Sequence, residues 1–345
     1  MRRRRTARVK APGLHQRAAV RVLTFNWHES YLHMLASIGF DWDAVRCEKG
    51  GRQDWWAESR PQPSNLRLVD IDDATRGLKT GRYHAVVCHS VADLCRLPAT
   101  RVPRIAVFHV SRDRELAHGQ DAARFDEVAA PLLADALCVF ISDTKRRSWA
   151  RDGLVIPPGI DAGDYGGYRG DKMAGLVVGN LLCELAATNA LSTIDAVMRG
   201  FPMTIAGLNP SIPGSHPCGS WDELREHFRS HRVFLNHTRA SFEDGYNLAM
   251  LEAMATGMPI VTLPNPTSPI ENGVNGFVSD DPAQLREGVM ELFEDAHKAA
   301  RLGAAARETA LTQFPIDRFR DRWRHVLLTA SAGASPREVR DAIAS

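Results

Sequence analysis

The chain contains no apolar run of about 18 residues, so no segment of it reads as a membrane-crossing helix. It opens on arginines with no apolar stretch behind them, so no secretory signal is legible and the expectation is a cytoplasmic protein. Cysteine is scarce. The six residues Cys47, Cys88, Cys95, Cys138, Cys183 and Cys218 include no C-x-x-C pair, which argues against a zinc ribbon or a disulfide framework, and the thiols are read as reduced. Acid is missing from residues 1–21, which hold eight Lys or Arg and leave 35 basic against 41 acidic residues, a net −6, over the rest. Residues 1–20 read as a solvated basic arm. Attraction of residues 1–21 to anionic lipid is the sharper alternative. Nucleic acid is disfavoured, because the remaining chain is acidic and no recognition-helix or zinc pattern follows.

What is present is an alternation of short β-branched runs and amphipathic stretches, the pattern of helices laid over a parallel sheet. At 345 residues the chain is long enough for about two domains. Candidate strands in the first half are 21–25, 85–88, 105–108, 137–141 and 155–156, with helical stretches near 30–38, 120–134 and 143–151. Pro157-Pro158-Gly159-Ile160-Asp161 and a polar, glycine-rich stretch to Asp171 mark a boundary. A second set of candidate strands follows at 176–178, 203–206, 233–235 and 260–263. Two doubly wound halves imply a ligand cleft at the carboxyl ends of their strands.

The most informative stretch is Glu243 to Val261, EDGYNLAMLEAMATGMPIV. An acid stands at the mouth of a helix, Gly245 follows, and a second acid, Glu252, precedes Gly257-Met258-Pro259, which closes the helix. Unpaired N–H groups and the positive dipole end make such a mouth a seat for phosphate. Asp244 and Glu252 are eight residues apart, about 12 Å along a helix axis at about 1.5 Å per residue, the scale of a sugar nucleotide. The plain alternatives are that Asp244 is a helix N-cap and Glu252 a salt-bridged helix residue.

Glu252-Ala253-Met254-Ala255-Thr256-Gly257-Met258-Pro259-Ile260-Val261 resembles the E-x7-E region of the retaining glycosyltransferases of family 4. Ile156 to Asp161 is similar to the family's V-I-P-N-G-V-D junction, and Asn272 to Val278 to its D-G-x-x-G-F-L turn. The resemblance implies an α/β, GT-B fold, two Rossmann-like doubly wound domains facing a cleft. It assigns residues 21–157 to an N-terminal acceptor domain and 158–315 to a C-terminal nucleotide-sugar domain. Residues 316–331 become a crossing helix that packs back on the first domain, and 332–345 a tail. The implied activity moves a hexose from a nucleotide diphosphate sugar to an acceptor hydroxyl with retention, using no metal or other cofactor. The acceptor class stays open among glycan, lipid-linked and small-molecule hydroxyls. By the same resemblance Glu252 holds the ribose and Asp244, with His109, acts at the hexose. Backbone groups near Asn247 and Leu248 meet the diphosphate, and Glu243, Gly245 and Asn180 complete the donor-binding set. Trp27, His28 and Glu29, after the first strand, are candidate acceptor-side residues. Trp55 and Trp56 are candidates for stacking a sugar or serving as loop anchors.

Three departures stand out. The first acid is Asp244 unless Glu243 does its work with a one-residue shift. Asn247 replaces the second glycine. The strand-end segment Gly179 to Leu185 brings neither the arginine nor the lysine of the family's G-R-L-x-x-E-K; Arg239 is a candidate substitute. Two further readings compete. The triplets Asp41-Trp42-Asp43 and Asp70-Ile71-Asp72 fit a D-x-D metal site, although Asp72 or Asp73 reads more simply as a helix cap. Loss of both diphosphate cations fits a non-enzymatic GT-B relative that binds a nucleotide or a partner.

Overall fold

The structure, a computed structural model, describes residues 20–116, 121–183, 190–240 and 243–344. Most of the basic arm therefore lies outside the described residues, as do Glu184 and Leu185 of the strand-end segment. Seven strands build the first domain: β1 (Arg21–Phe25), β2 (Asp41–Val45), β3 (Leu66–Val69), β4 (Ala85–Cys88), β5 (Arg104–Phe108), β6 (Ala136–Phe140) and β7 (Leu154–Val155). All pair in parallel in the order β3-β2-β1-β4-β5-β6-β7. Five more, β8 (Lys172–Val178), β9 (Met203–Ala206), β10 (His231–Asn236), β11 (Ile260–Thr262) and β12 (Gly276–Val278), form the second sheet in the order β12-β11-β10-β8-β9.

Period-two side-chain alternation explains why these strands read as continuous apolar runs, since a parallel sheet is covered on both faces. In the first sheet Val22, Val87, Ile105 and Val139 face one core. Their neighbours Leu23, Val86, Ala106 and Cys138 face the other. The helix Ile316–Ser331 joins the first of these cores through Phe319, Trp323, Val326 and Leu327. Ile160 and Ile316 lie beside each other where the chain passes between the two sheets, with Ile160 N–H donating to Phe314 O at 2.7 Å and Ile316 N–H to Ile160 O at 3.2 Å.

Two features differ from the sequence reading. Asp41-Trp42-Asp43, the triplet of the competing metal reading, opens strand β2, which is not among the candidate strands of the sequence reading. Asp43 is fully buried and bonded to Arg21, Arg67 and Tyr83, and Asp41 is paired with Arg21. Asp70 pairs with Arg46 at 3.5 Å and Asp73 with Arg82 at 2.8 Å. Asp70, and not Asp72 or Asp73, stands at the N-cap of the helix Ile71–Lys79, and most of these acids balance arginines. The 332–345 tail holds a further helix, Pro336–Ala344, whose Val339 and Ile343 pack against the same core, as does Ala334 just before it. All six cysteines are unpaired thiols, with Cys95 and Cys183 exposed. Among the described residues no helix is long and apolar enough to cross a membrane.

Candidate active site

In both sheets the strand order reverses at an internal strand, and the carboxyl ends of the strands face the cleft, the place where doubly wound folds bind ligands. A cavity of about 430 Å³ lies there, walled by both domains. Its second-domain wall is built on the helix Leu248–Thr256. Asn247, not Asp244, is the N-cap: its side chain accepts from Met250 N–H at 2.8 Å. The helix therefore begins four residues after Asp244, and the segment between is loop, so the axial spacing expected from an unbroken helix does not hold. Leu248 and Ala249 line the cavity at the first turn, where helix N–H groups lack intrahelical partners. Gly257, at φ +94°, ends the helix in the left-handed conformation that glycine takes without a Cβ penalty.

Glu252 lies on this helix and lines the cavity, but its carboxylate is not open. It accepts from Arg60 of the first domain, whose guanidinium also donates to Tyr165 Oη at 2.5 Å and lies over the Trp221 ring at 5.2 Å. Burial raises the Glu252 carboxyl above its ordinary range, and the Arg60 charge opposes that shift. At the other end of the cavity the two neighbouring acids part company. Glu243 lines the wall and is paired with Arg114 and, at 3.2 Å, with Lys145. Asp244 is 3% exposed, sits 3.9 Å from Lys145, and keeps Oδ1 buried with no hydrogen-bond partner among the described residues. The acid presented to the cavity is thus Glu243, one residue earlier than the resemblance placed it. Gly245 serves close approach. A Cβ there would come within 2.5 Å of Ser268 N, and its own N–H is given to Thr267 Oγ1 at 2.7 Å. Asn180 lines the cavity while its side-chain oxygen accepts from Leu208 N–H at 2.8 Å.

Beside the cavity, at the ends of β1, β4 and β5, three imidazoles gather. His109 Nε2 and His89 Nδ1 share a hydrogen bond of 2.9 Å, and His89 Nε2 meets Thr24 Oγ1 at 2.9 Å. The His28 ring packs 5.1 Å from that of His109, and Tyr31 meets His109 edge-on at 4.6 Å. Desolvation, with His28 and His89 adding to it, holds His109 well below the usual imidazole range, so it is neutral at pH 7. Sequence reasoning missed His89. Its signal was available, since it follows β4 as His109 follows β5. The acceptor-side trio is split: His28 is exposed, whereas Trp27 donates to Asp93 at 2.8 Å, and Glu29 is buried against Lys49 and accepts from Trp56 N–H at 3.2 Å. Trp55 is a core anchor donating to Arg60 O at 2.7 Å, while Trp56 lines the cavity. Cys218, Glu223 and His227 bring ligand-type atoms within 4.8 Å of one another. Burial pushes the Cys218 thiol up to about 11, and Glu223 Oε2 accepts from Gly219 N–H at 2.6 Å, so the trio is a protonated thiol beside a committed acid.

Buried neutral imidazoles make the fold acid-sensitive. Burial, with His28 adding to it, lowers His89 to about 3, and burial lowers His237, on the cavity wall, to about 4. Unfolded histidine protonates near 6.5, so between these values the unfolded chain binds more protons. The stability is fully present above about pH 6.5 and declines with acidification, by about 1.4 kcal/mol per pH unit for each such histidine. The urea midpoint is expected to fall between pH 7 and pH 5, and less steeply for His89→Gln; the same decline in both proteins would exclude His89 as a source.

Residues 201–295 match the family model described as Glycosyl transferases group 1. No curated protein matches the chain. Among solved structures, Anabaena HepE in complex with UDP-glucose superposes with a TM-score of 0.66 at 15% identity, over 90% of this chain and 99% of that one. Sucrose-phosphate synthase from Thermosynechococcus elongatus gives 0.66 at 12%, over 91% and 100%. A point mutant of S. aureus TarM, in complex with Fondaparinux, alpha-GlcNAc-glycerol and UDP, gives 0.57 at 12%, over 76% of this chain; the match spans 58% of the TarM chain. With its two parallel-sheet domains, the chain has the GT-B fold, two Rossmann-like domains facing a cleft.

Proposed function

We propose that this protein transfers a hexose from a nucleoside diphosphate sugar to an acceptor hydroxyl with retention of configuration. The observation that carries this reading is the two-domain cavity itself. One wall offers the open helix turn at Leu248 and Ala249, with Glu252 at one end and Glu243 at the other. The family-model match over the second domain and the UDP and UDP-glucose named for the neighbours support it. In the bound donor the ribose hydroxyls would meet Glu252, the diphosphate the helix mouth, and the hexose Glu243 and His109, with Asp244 holding Lys145 behind them. During transfer the bond from C1 to the diphosphate oxygen breaks and its electron pair stays on that oxygen. The acceptor oxygen bonds C1 on the same face and its proton passes to the departing phosphate oxygen, so no covalent enzyme intermediate forms. The acceptor hydroxyl would enter past His28, and residues 1–21 add attraction to anionic lipid.

A thermal-shift screen against UDP, GDP, ADP and their sugars tests the donor site. A ligand at 100 times its dissociation constant stabilises by about 2.7 kcal/mol, and no shift with any of them would contradict the proposal. Transfer is expected to survive EDTA, because Asp41 and Asp43 lie on β2 and Asp70 and Asp72 at the start of the helix Ile71–Lys79, none of them on the cavity wall, and Asp41, Asp43 and Asp70 are paired with arginines. Loss on chelation restored by Mn²⁺ would contradict this. A GT-B relative that binds nucleotide without transferring is favoured by one observation, the lack of any Lys or Arg in the described strand-end loop Gly179 to Cys183. Nucleotide binding with no release of diphosphate from any sugar donor would select it.

A further inference from the structure

The arginines on the cavity wall all come from one domain. Arg52, Arg60 and Arg114 belong to the first domain, as does the carboxylate Glu58, whereas the second domain contributes the carboxylates Glu243 and Glu252 and, among the described lining residues, no Lys or Arg. The described strand-end loop Gly179 to Cys183 carries no cation. A diphosphate seated at the first turn of the helix Leu248–Thr256 would thus find its positive side chains across the cleft. These arginines are not equivalent. Arg52 is tied to Asp54 and Glu58, and Arg60 is buried on Glu252 and Tyr165. Arg114 is paired with Glu243, four residues upstream of the helix mouth.

We infer that Arg114 is the cation that meets the departing diphosphate, supplied by the first domain rather than by the domain that binds the nucleotide; this rests on the donor reading proposed above. The pairing around Glu243 makes the transfer of Arg114 inexpensive. Glu243 has a second cation, Lys145, at 3.2 Å, and Lys145 is held in turn near Asp244 at 3.9 Å. Glu243 therefore remains paired when Arg114 turns to a phosphate oxygen, and no buried acid is left alone. Burial lowers the Arg114 guanidinium from its ordinary range, and a charged phosphate oxygen beside it would offset that desolvation. When the C1–O bond breaks, the electron pair left on the phosphate oxygen adds charge next to that guanidinium, and a bidentate arginine gains most where charge develops. Because Arg114 belongs to the opposite domain, this contact forms only with the cleft closed, which joins chemistry to closure.

The discriminating measurement is calorimetric titration of wild type, Arg114→Gln and Arg114→Lys with UDP, UMP and uridine, and likewise with the guanosine and adenosine series. Arg114→Gln is expected to weaken the diphosphate that wild type binds best by roughly 10- to 100-fold, and to leave the nucleoside affinity unchanged. The preference for diphosphate over monophosphate then shrinks, and Arg114→Lys restores part of it. Arg114→Gln should also lower turnover. An unchanged preference for diphosphate in Arg114→Gln, with wild type binding the nucleotide, would overturn the assignment of Arg114 alone. A wild type that binds none of the three diphosphates would overturn the donor reading and this inference with it.

Discussion

Replacing His109 by alanine is expected to lower turnover by about 10²- to 10³-fold, the usual cost of removing one preorganised hydrogen-bonding group from a reacting centre, with affinity for a free nucleoside diphosphate almost unchanged. The separation follows from where the residue stands. His109 follows β5 in the first domain, while the helix mouth and Glu252 belong to the second. Its Nε2 is engaged by His89, so Nδ1 is the ring nitrogen left to meet a donor sugar. Neutral at pH 7, it acts by hydrogen bonding rather than by charge. Steady-state kinetics and titration on the same variant check this. Equal losses in turnover and in diphosphate affinity would mark a structural histidine instead.

Glu252 and Arg60 should give opposite signs. Glu252→Gln removes the carboxylate expected to hold the ribose, and a charge-assisted hydrogen bond contributes about 1.5–3 kcal/mol, so diphosphate affinity should drop by roughly 10- to 150-fold. Arg60→Ala removes the group that now occupies that carboxylate. Nucleotide no longer has to displace it, and affinity should rise by up to about 10-fold, the lower end of the same range. If Arg60→Ala weakens binding as much as Glu252→Gln does, the ion pair is part of the binding surface and not a competitor for it.

The parts of this molecule that are legible in sequence are those carried by local periodicity. Ala85–Cys88 and Ile260–Thr262 are short β-branched runs that form buried strands, and Met203–Ala206 is a half-buried strand at the edge of the second sheet. Strand β2 was hidden because Asp41 and Asp43 interrupt its pattern, and only the fold shows that Arg21, Arg67 and Tyr83 satisfy them. Near the helix mouth, loop and helix cannot be told apart by composition. Asn247 and Asp244 are both good caps, and the choice between them moved the helix start and brought Glu243 forward as the acid on the cavity wall. The cations were beyond reach for a different reason. Arg60 and Glu252 are 192 residues apart, and Lys145 and Glu243 98 residues apart. Such pairs exist only once two domains have folded and met, and a lone arginine in a loop carries no mark of its partner.

If a nucleotide-sugar donor occupies the cavity at the start of the helix Leu248–Thr256, amide hydrogen exchange with and without bound nucleotide will show it residue by residue. With the nucleoside diphosphate that raises the melting temperature most, exchange is predicted to slow at Asn247 to Glu252 and at Gly179 to Leu182 on the facing loop, while the far ends of both sheets stay unchanged. Slowing confined to another surface, such as the groove lined by Arg112, Arg151 and Arg340, or no slowing at the helix start despite saturating nucleotide, would contradict it.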